Sequence, residues 1–174
     1  MKDRFMTPFQ SINPSTERIV STYPETTREH AFKKIEAAHG PFLTWSRIPF
    51  SERAKYLLHA AKILRERKKD LAGLMAFEMG KPLAQGLAEA EKSAWGCEYY
   101  AQHAEKFLLD ELIASDATKS FVTFEPIGVI FAVMPWNFPL WQIFRFTPSL
   151  WMAGNTVILK HAPNVCGRIS GGSF

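Results

Sequence analysis

Cysteine is scarce in this chain: Cys97 and Cys166 are the only two among 174 residues. Two cysteines make neither a disulfide framework nor a zinc-type spacing, which points to a reducing compartment. The five histidines, at 30, 39, 59, 103 and 161, show no metal-ligand spacing. The N-terminus, MKDRFMTPFQ, lacks the apolar core of a secretory signal. The most apolar region, 126–159, is interrupted by Asn137, Arg145 and prolines at 126, 135, 139 and 148. That excludes a spanning helix, which needs about 20 consecutive apolar residues. The dinucleotide fingerprint G-x-G-x-x-G does not occur. Charge of one sign is in small excess only, +4 net. Its one dense basic run, RERKKD at 65–70, reads as a solvated helix end with no nucleic-acid signature beside it. Repeats and low-complexity segments are lacking too. These absences lead to the expectation of a cytoplasmic globular protein that binds neither nucleic acid nor membrane.

What is present has a clear order. Residues 5–23, with the turn signal NPST at 13–16, suggest an extended arm of short strands. Thr26 and Glu29 have capping-box spacing, and Ala31, Phe32, Ile35 and Ala38 then share a helical face that Gly40-Pro41 should end. Ser51 can cap a second helix, with Ala54, Leu57, Leu58, Ala61 and Leu64 as its stripe. After the charged interruption the pattern resumes at Leu71, Leu74 and Met75 and stops at Gly80. Lys81-Pro82 opens a third helix carrying Leu83, Leu87, Ala90, Ala94, Cys97 and Ala101, which should end near Leu109. After residue 117 the character changes. SFVTFEP alternates like a strand. GVIFAVM and TVILK are apolar runs suited to strands covered on both faces, with a helical stretch between them that Pro148 should kink or break.

The expected fold class is therefore α/β: a helical N-terminal region leading into the start of a parallel sheet. The boundaries are an arm over 1–24, helices over 25–115, a bridging strand segment over 116–127, a first βαβ unit over 128–165 and a tail over 166–174.

Open α/β sheets bind ligands at the carboxyl ends of their strands, and VMPWNFP lies at such an end. Pro135 and Pro139 stiffen the turn, so the Asn137 amide is fixed in space. A fixed NH2 donor suits an oxyanion hole, where charge develops on a carbonyl oxygen, and is worth about 3–4 kcal/mol of barrier. The alternative is that Asn137 caps the next helix. Lys160 ends the second strand beside the same crevice, where it could bond ribose hydroxyls or a phosphate, or simply be a surface lysine. Arg145 sits among aromatics in WQIFRF. It either snorkels to water or binds a carboxylate. Cys97 lies on an apolar helix stripe and Cys166 has no visible base partner, so neither reads as a nucleophile.

Several stretches taken together carry a resemblance: EPIGVIFAVMPWNFPLWQIFRF with LWMAGNTVILKHAPN, and upstream INPSTERIV, WSRIPFSERAKYL and EMGKPLAQGLAEAEKSAW. They resemble the NAD(P)-dependent aldehyde dehydrogenase superfamily, nearest to its succinate-semialdehyde dehydrogenases. The resemblance implies a Rossmann-like cofactor domain without the usual glycine fingerprint, and NADP or NAD as cofactor. It implies a small aldehyde bearing a carboxylate as substrate and a homo-oligomer for the complete enzyme. By position, Asn137 resembles the oxyanion-hole amide. The backbone of Met134, Pro135 and Trp136 resembles the nicotinamide-side wall. Lys160 resembles the adenosine-ribose contact, with His161, Ala162 and Pro163 beside the ribose 2′ position. Arg145 resembles the arginine that holds the substrate carboxylate. Pro163 stands where many NAD-selective relatives carry a glutamate, so NADP should be tolerated.

The family's chemistry also uses a cysteine nucleophile and a glutamate base, which the resemblance places beyond these 174 residues. The segment RISGGSF departs from the family pattern, and the sheet is expected to stop as it begins to grow. The chain alone is therefore expected to be inactive. The alternative is a non-catalytic protein: a relict, or a subunit that completes a partner chain.

Overall fold

The computed structural model describes residues 8–165 and Gly167. The arm forms an antiparallel hairpin of β1 (Phe9–Ile12) and β2 (Ile19–Tyr23), turned by the Asn13 side chain, whose Oδ1 accepts from the N–H groups of Ser15 and Thr16. Four helices follow: α1 (Arg28–Trp45), α2 (Phe50–Glu66), α3 (Lys68–Met79) and α4 (Leu83–Phe107). A short antiparallel pair, β3 (Glu111–Leu112) and β4 (Phe121–Val122), leads to β5 (Val129–Val133). The chain then runs through α5 (Trp141–Phe144) and α6 (Thr147–Met152) into β6 (Thr156–Lys160). β5 and β6 pair in parallel, as a βαβ unit requires.

The core forms where α2 crosses α4. Leu57, Ala61 and Leu64 meet Ala90, Ala94 and Cys97, with Met75 of α3 beside them. Leu140, Phe144 and Met152, from the connection between β5 and β6, belong to the same cluster. The connection that carries PWNFP is thus docked on α4 by apolar burial. α3 approaches α4 closely because Gly86 has no side chain: a Cβ there would lie 2.9 Å from the Cα of Ala72. At the corner between α2 and α3, Arg65 bridges Glu91 and Glu98 of α4, its Nε 2.6 Å from Glu91 Oε1 and its Nη2 2.8 Å from Glu98 Oε2. The basic run is therefore a corner tied to α4, partly solvated as expected.

Several boundaries differ from the sequence reading. α1 does not stop at Gly40-Pro41 but runs on to Trp45. A proline removes one backbone donor, and here tertiary anchoring outweighs that loss: Trp45 Nε1 donates to the Trp151 carbonyl at 3.0 Å, with its ring edge-on to Tyr56 and Trp151. The cap of α1 is Thr27, not Thr26, accepting from the His30 N–H at 3.1 Å. No residue of α1 is buried, so Phe32 and Ile35 stay exposed. α2 starts one residue before Ser51, behind Pro49. The stretch from Phe50 to Met79 is two helices meeting at Arg67. α4 ends at Phe107, two residues short of Leu109, and SFVTFEP contributes only Phe121–Val122 as strand. β5 is covered on one face only: Ala132 is buried while Phe131 and Val133 are exposed. Pro148 acts as a break, lying in the first turn of α6 with α5 ending four residues earlier. Among the described residues no helix is long and apolar enough to cross a membrane.

Candidate active site

The parallel register pairs Val133 with Lys160, so both strands end at one level. The Met134 N–H donates to the Lys160 carbonyl at 3.1 Å and closes the ladder there. PWNFP and HAPN consequently leave the sheet side by side at its carboxyl edge. This is the rim where α/β sheets place ligands.

Asn137 is exposed at this rim, and its carboxamide makes no hydrogen bond among the described residues. It does not cap the following helix. That task falls to Glu89 of α4, whose Oε1 accepts from the N–H groups of Leu140 and Trp141, both at 2.9 Å. A second asparagine, Asn155, shows what a structural role looks like. It is buried at the opposite end of the sheet, where Oδ1 accepts from Ile127 N at 2.8 Å and Gly128 N at 3.1 Å.

Glu89 forms an ion pair with Lys81. The Lys81 Nζ also donates to the Asn137 carbonyl at 3.3 Å and sits 4.1 Å above the Phe138 ring. Lys81 reaches inward because Gly80, at φ 70°, reverses the chain after α3. Lys81 and Glu89 were missed in the sequence. Lys81 reads there as part of the Lys81-Pro82 opening of a helix, and Glu89 is not singled out. The available signal was that Gly86, Glu89, Ala90 and Ser93 recur at helical spacing, and all four are buried.

The remaining candidates separate. Met134 is half-buried, whereas Pro135 and Trp136 are exposed at the rim. Trp136 and Asn164 line a hollow of about 260 Å³ together with Gln10, Ile12, Glu78 and Met79. Lys160 is exposed and makes no ion pair among the described residues. His161 turns inward: both ring nitrogens are buried without a hydrogen-bond partner, and burial, reinforced by the Lys160 charge, holds its pKa below the ordinary value. Ala162 is buried and Pro163 exposed. Among the described residues of this loop, Lys160 is the one that offers a positive charge. The loop is tethered from below by Glu78, whose Oε2 accepts from the Gly167 N–H at 3.1 Å. Arg145 caps α5 and is exposed. Of the aromatics in WQIFRF, Trp141 carries another cation, Lys92, at 4.3 Å, and the preceding Phe138 carries Lys81. Cys97 is fully buried, and burial followed by the nearby Glu98 charge pushes its thiol up to about 12. It is a packing residue, not a nucleophile. Cys166 and most of the 166–174 tail lie outside the described residues.

A larger hollow of about 520 Å³, lined by Trp45, Tyr56, His59 and Trp151, opens at the other end of the sheet, by Asn155 and Thr156. It is apolar and away from the strand-end rim. Among the described residues no group of His, Cys, Asp or Glu is placed to hold a metal ion.

The profile of the aldehyde dehydrogenase family matches residues 2–167. The chain belongs to that family. It is similar to a probable NADP-dependent succinate-semialdehyde dehydrogenase of Synechocystis, 44% identical over 155 residues, covering 89% of this chain and 34% of that protein. A succinate-semialdehyde dehydrogenase [NADP(+)] of Mycobacterium tuberculosis is 42% identical over 163 residues, with 91% and 35% covered. Among solved structures, the succinic semialdehyde dehydrogenase of Streptococcus pyogenes with NADP+ superposes with a TM-score of 0.86 at 32% identity, covering 92% of this chain and 35% of that one. The chain thus spans about a third of the length of the relatives it matches. The helical region leading into a parallel βαβ unit is the aldehyde dehydrogenase fold over this span.

Proposed function

We propose that residues 8–167 supply the cofactor-side rim and the oxyanion donor of an NAD(P)-dependent aldehyde dehydrogenase that oxidises succinate semialdehyde to succinate. The observation that carries this reading is the Asn137 carboxamide, exposed at the end of β5 and relieved of helix capping by Glu89. The Nδ2–H of Asn137 would donate to the aldehyde oxygen as the carbonyl carbon turns tetrahedral and the oxygen gains charge. Because the turn is held before substrate arrives, little reorganisation opposes that bond.

Two features support a dinucleotide at this rim. The hollow beside Trp136 has room for an apolar ring face, and the Lys160 ammonium is free to meet ribose hydroxyls or a 2′-phosphate. Bound NADP+ would supply the hydride acceptor. Pro163 presents no carboxylate to repel a 2′-phosphate, so NADP is accepted at least as well as NAD. Arg145 is the candidate partner of the substrate's distal carboxylate. The 174 residues alone should not turn over, because the resemblance places the nucleophilic cysteine and the glutamate base outside them and Cys97 is a buried packing residue.

The test joins residues 1–167 to the remaining two thirds of the mycobacterial relative. Purified protein should form NADPH when given succinate semialdehyde, with NADP+ used at least as well as NAD+, while the 174-residue chain forms none. Turnover by the short chain, or a large preference for NAD+, would contradict the corresponding part of the reading.

A further inference from the structure

We propose that Lys81 and Glu89 are positioning residues for this reaction, a buried ion pair that fixes the 137–141 turn and, through it, the direction of the Asn137 carboxamide. The proposal rests on the reading of Asn137 as the oxyanion donor.

Both polarities of the turn are held by this one pair. Lys81 Nζ binds the Asn137 carbonyl at 3.3 Å and covers the Phe138 ring at 4.1 Å. Glu89 Oε1 takes the two N–H groups of Leu140 and Trp141. Its other oxygen pairs with Lys81, so the two grips share one rigid unit. The carbonyl bond sets the peptide plane after Asn137, and that plane orients the Cα–Cβ bond from which the carboxamide projects. Pro139 lies between the grips and has no N–H of its own, so the first free donors of the new helix are the two that Glu89 binds.

A purely structural role explains this arrangement poorly. The side chains are 4% and 2% exposed. Charges removed from water this far add little net stability over well-packed apolar residues of similar size. An apolar pair could fill the space between α4 and the turn. It could not hold a carbonyl and two N–H groups at once. The pair also leaves the Asn137 side chain uncommitted: without Glu89, the nearest group able to cap the start of α5 would be Asn137 itself.

The experiment uses the completed enzyme described above. The principal variant is Lys81→Met combined with Glu89→Gln, which leaves no unpaired charge and keeps an amide oxygen to accept from Leu140 and Trp141. A displacement of the reacting groups near 1 Å costs on the order of 100-fold. The combined variant should therefore lower kcat by about ten- to a hundredfold, with KM for aldehyde and NADP+ nearly unchanged. In an Asn137→Ala background the same two changes should alter kcat by no more than about twofold, the usual error of additivity. Lys81→Arg, which keeps the charge pair, is the second variant should the first fail to fold. It should show a smaller loss that also vanishes in the Asn137→Ala background. Equal losses with and without Asn137 would overturn the proposal and leave the pair a structural element. If Asn137→Ala itself left kcat unchanged, the underlying reading of Asn137 would fall instead.

Discussion

Asn137 and Asn155 have the same side chain and opposite fates. Asn155 uses its oxygen on two backbone N–H groups and is buried, whereas Asn137 is exposed with its amide unengaged among the described residues. A sequence alone cannot separate the two, because either asparagine could cap a helix or bridge a loop. The difference arises from Glu89, which comes from a helix 48 residues upstream and takes over the cap. Arg145 is the residue whose role is simplest to test. A charge-assisted bond to a carboxylate is worth about 1.5–3 kcal/mol. Arg145→Ala should therefore raise KM for succinate semialdehyde about ten- to a hundredfold and leave KM for an uncharged aldehyde of similar length unchanged. Lys should restore only part of the loss, since it lacks the planar fork. Equal effects on both aldehydes would remove Arg145 from substrate recognition. Glu78 offers a pH signature. Burial raises its carboxyl above the ordinary 4.5, against weaker opposing bonds that include the Gly167 N–H. A raised acid contributes stability that is complete below its unfolded-state value and is lost as pH climbs through the folded one. Thermal unfolding across the acid-to-neutral range should show this decline, and Glu78→Gln should flatten it. An unchanged pH profile in that variant would contradict the assignment.

Among the elements, the two parallel strands and the long α4 were the most legible. Apolar runs rich in β-branched residues gave β5 and β6, and a helical stripe from Leu83 to Ala101, about five turns long, gave α4. The errors occur where distant contacts outweigh local signals. α1 passes through Gly40-Pro41 because Trp45 is held by Trp151, more than a hundred residues away. The phase of α4 was right at Ala90, Ala94 and Cys97 but wrong at its start, where Leu83 is 55% exposed and the buried face begins with Gly86 and Glu89. Apart from its part in the family resemblance, EMGKP at the α3–α4 junction reads as a helix stop and start. Folded, it grips both strand-end loops, with Glu78 on Gly167 and Lys81 on Asn137. Gly86 controls how closely α3 lies against α4. Alanine is the better helix former by about 1 kcal/mol. Its Cβ would nevertheless meet backbone of Ala72 at 2.9 Å. Overpacking of this kind costs about 1–3 kcal/mol. Denaturant unfolding of Gly86→Ala should show a net loss of stability, and a gain would mean the two helices can part without penalty.

At the scale of the whole molecule, the fold explains how a site can be set on a small sheet. The α2–α4 core takes in Leu140, Phe144 and Met152, so the connection between the strands is fixed from behind before any ligand binds. The matched register then brings both strand ends to one rim. The same fold leaves large apolar side chains uncovered, among them Ile127 at 84%, Leu112 at 77% and Phe131 at 64% exposed. These side chains belong to a chain that spans about a third of the length of the relatives it matches. The most direct measurement of the central claim is single-turnover NADPH formation by the completed enzyme with and without the Asn137 carboxamide. Removing one oxyanion donor costs on the order of 100- to 1,000-fold in rate. Asn137→Ala should slow the chemical step by that factor while NADP+ binds as before. A chemical step as fast as that of the unaltered enzyme would show that the amide at the rim does not polarise the aldehyde.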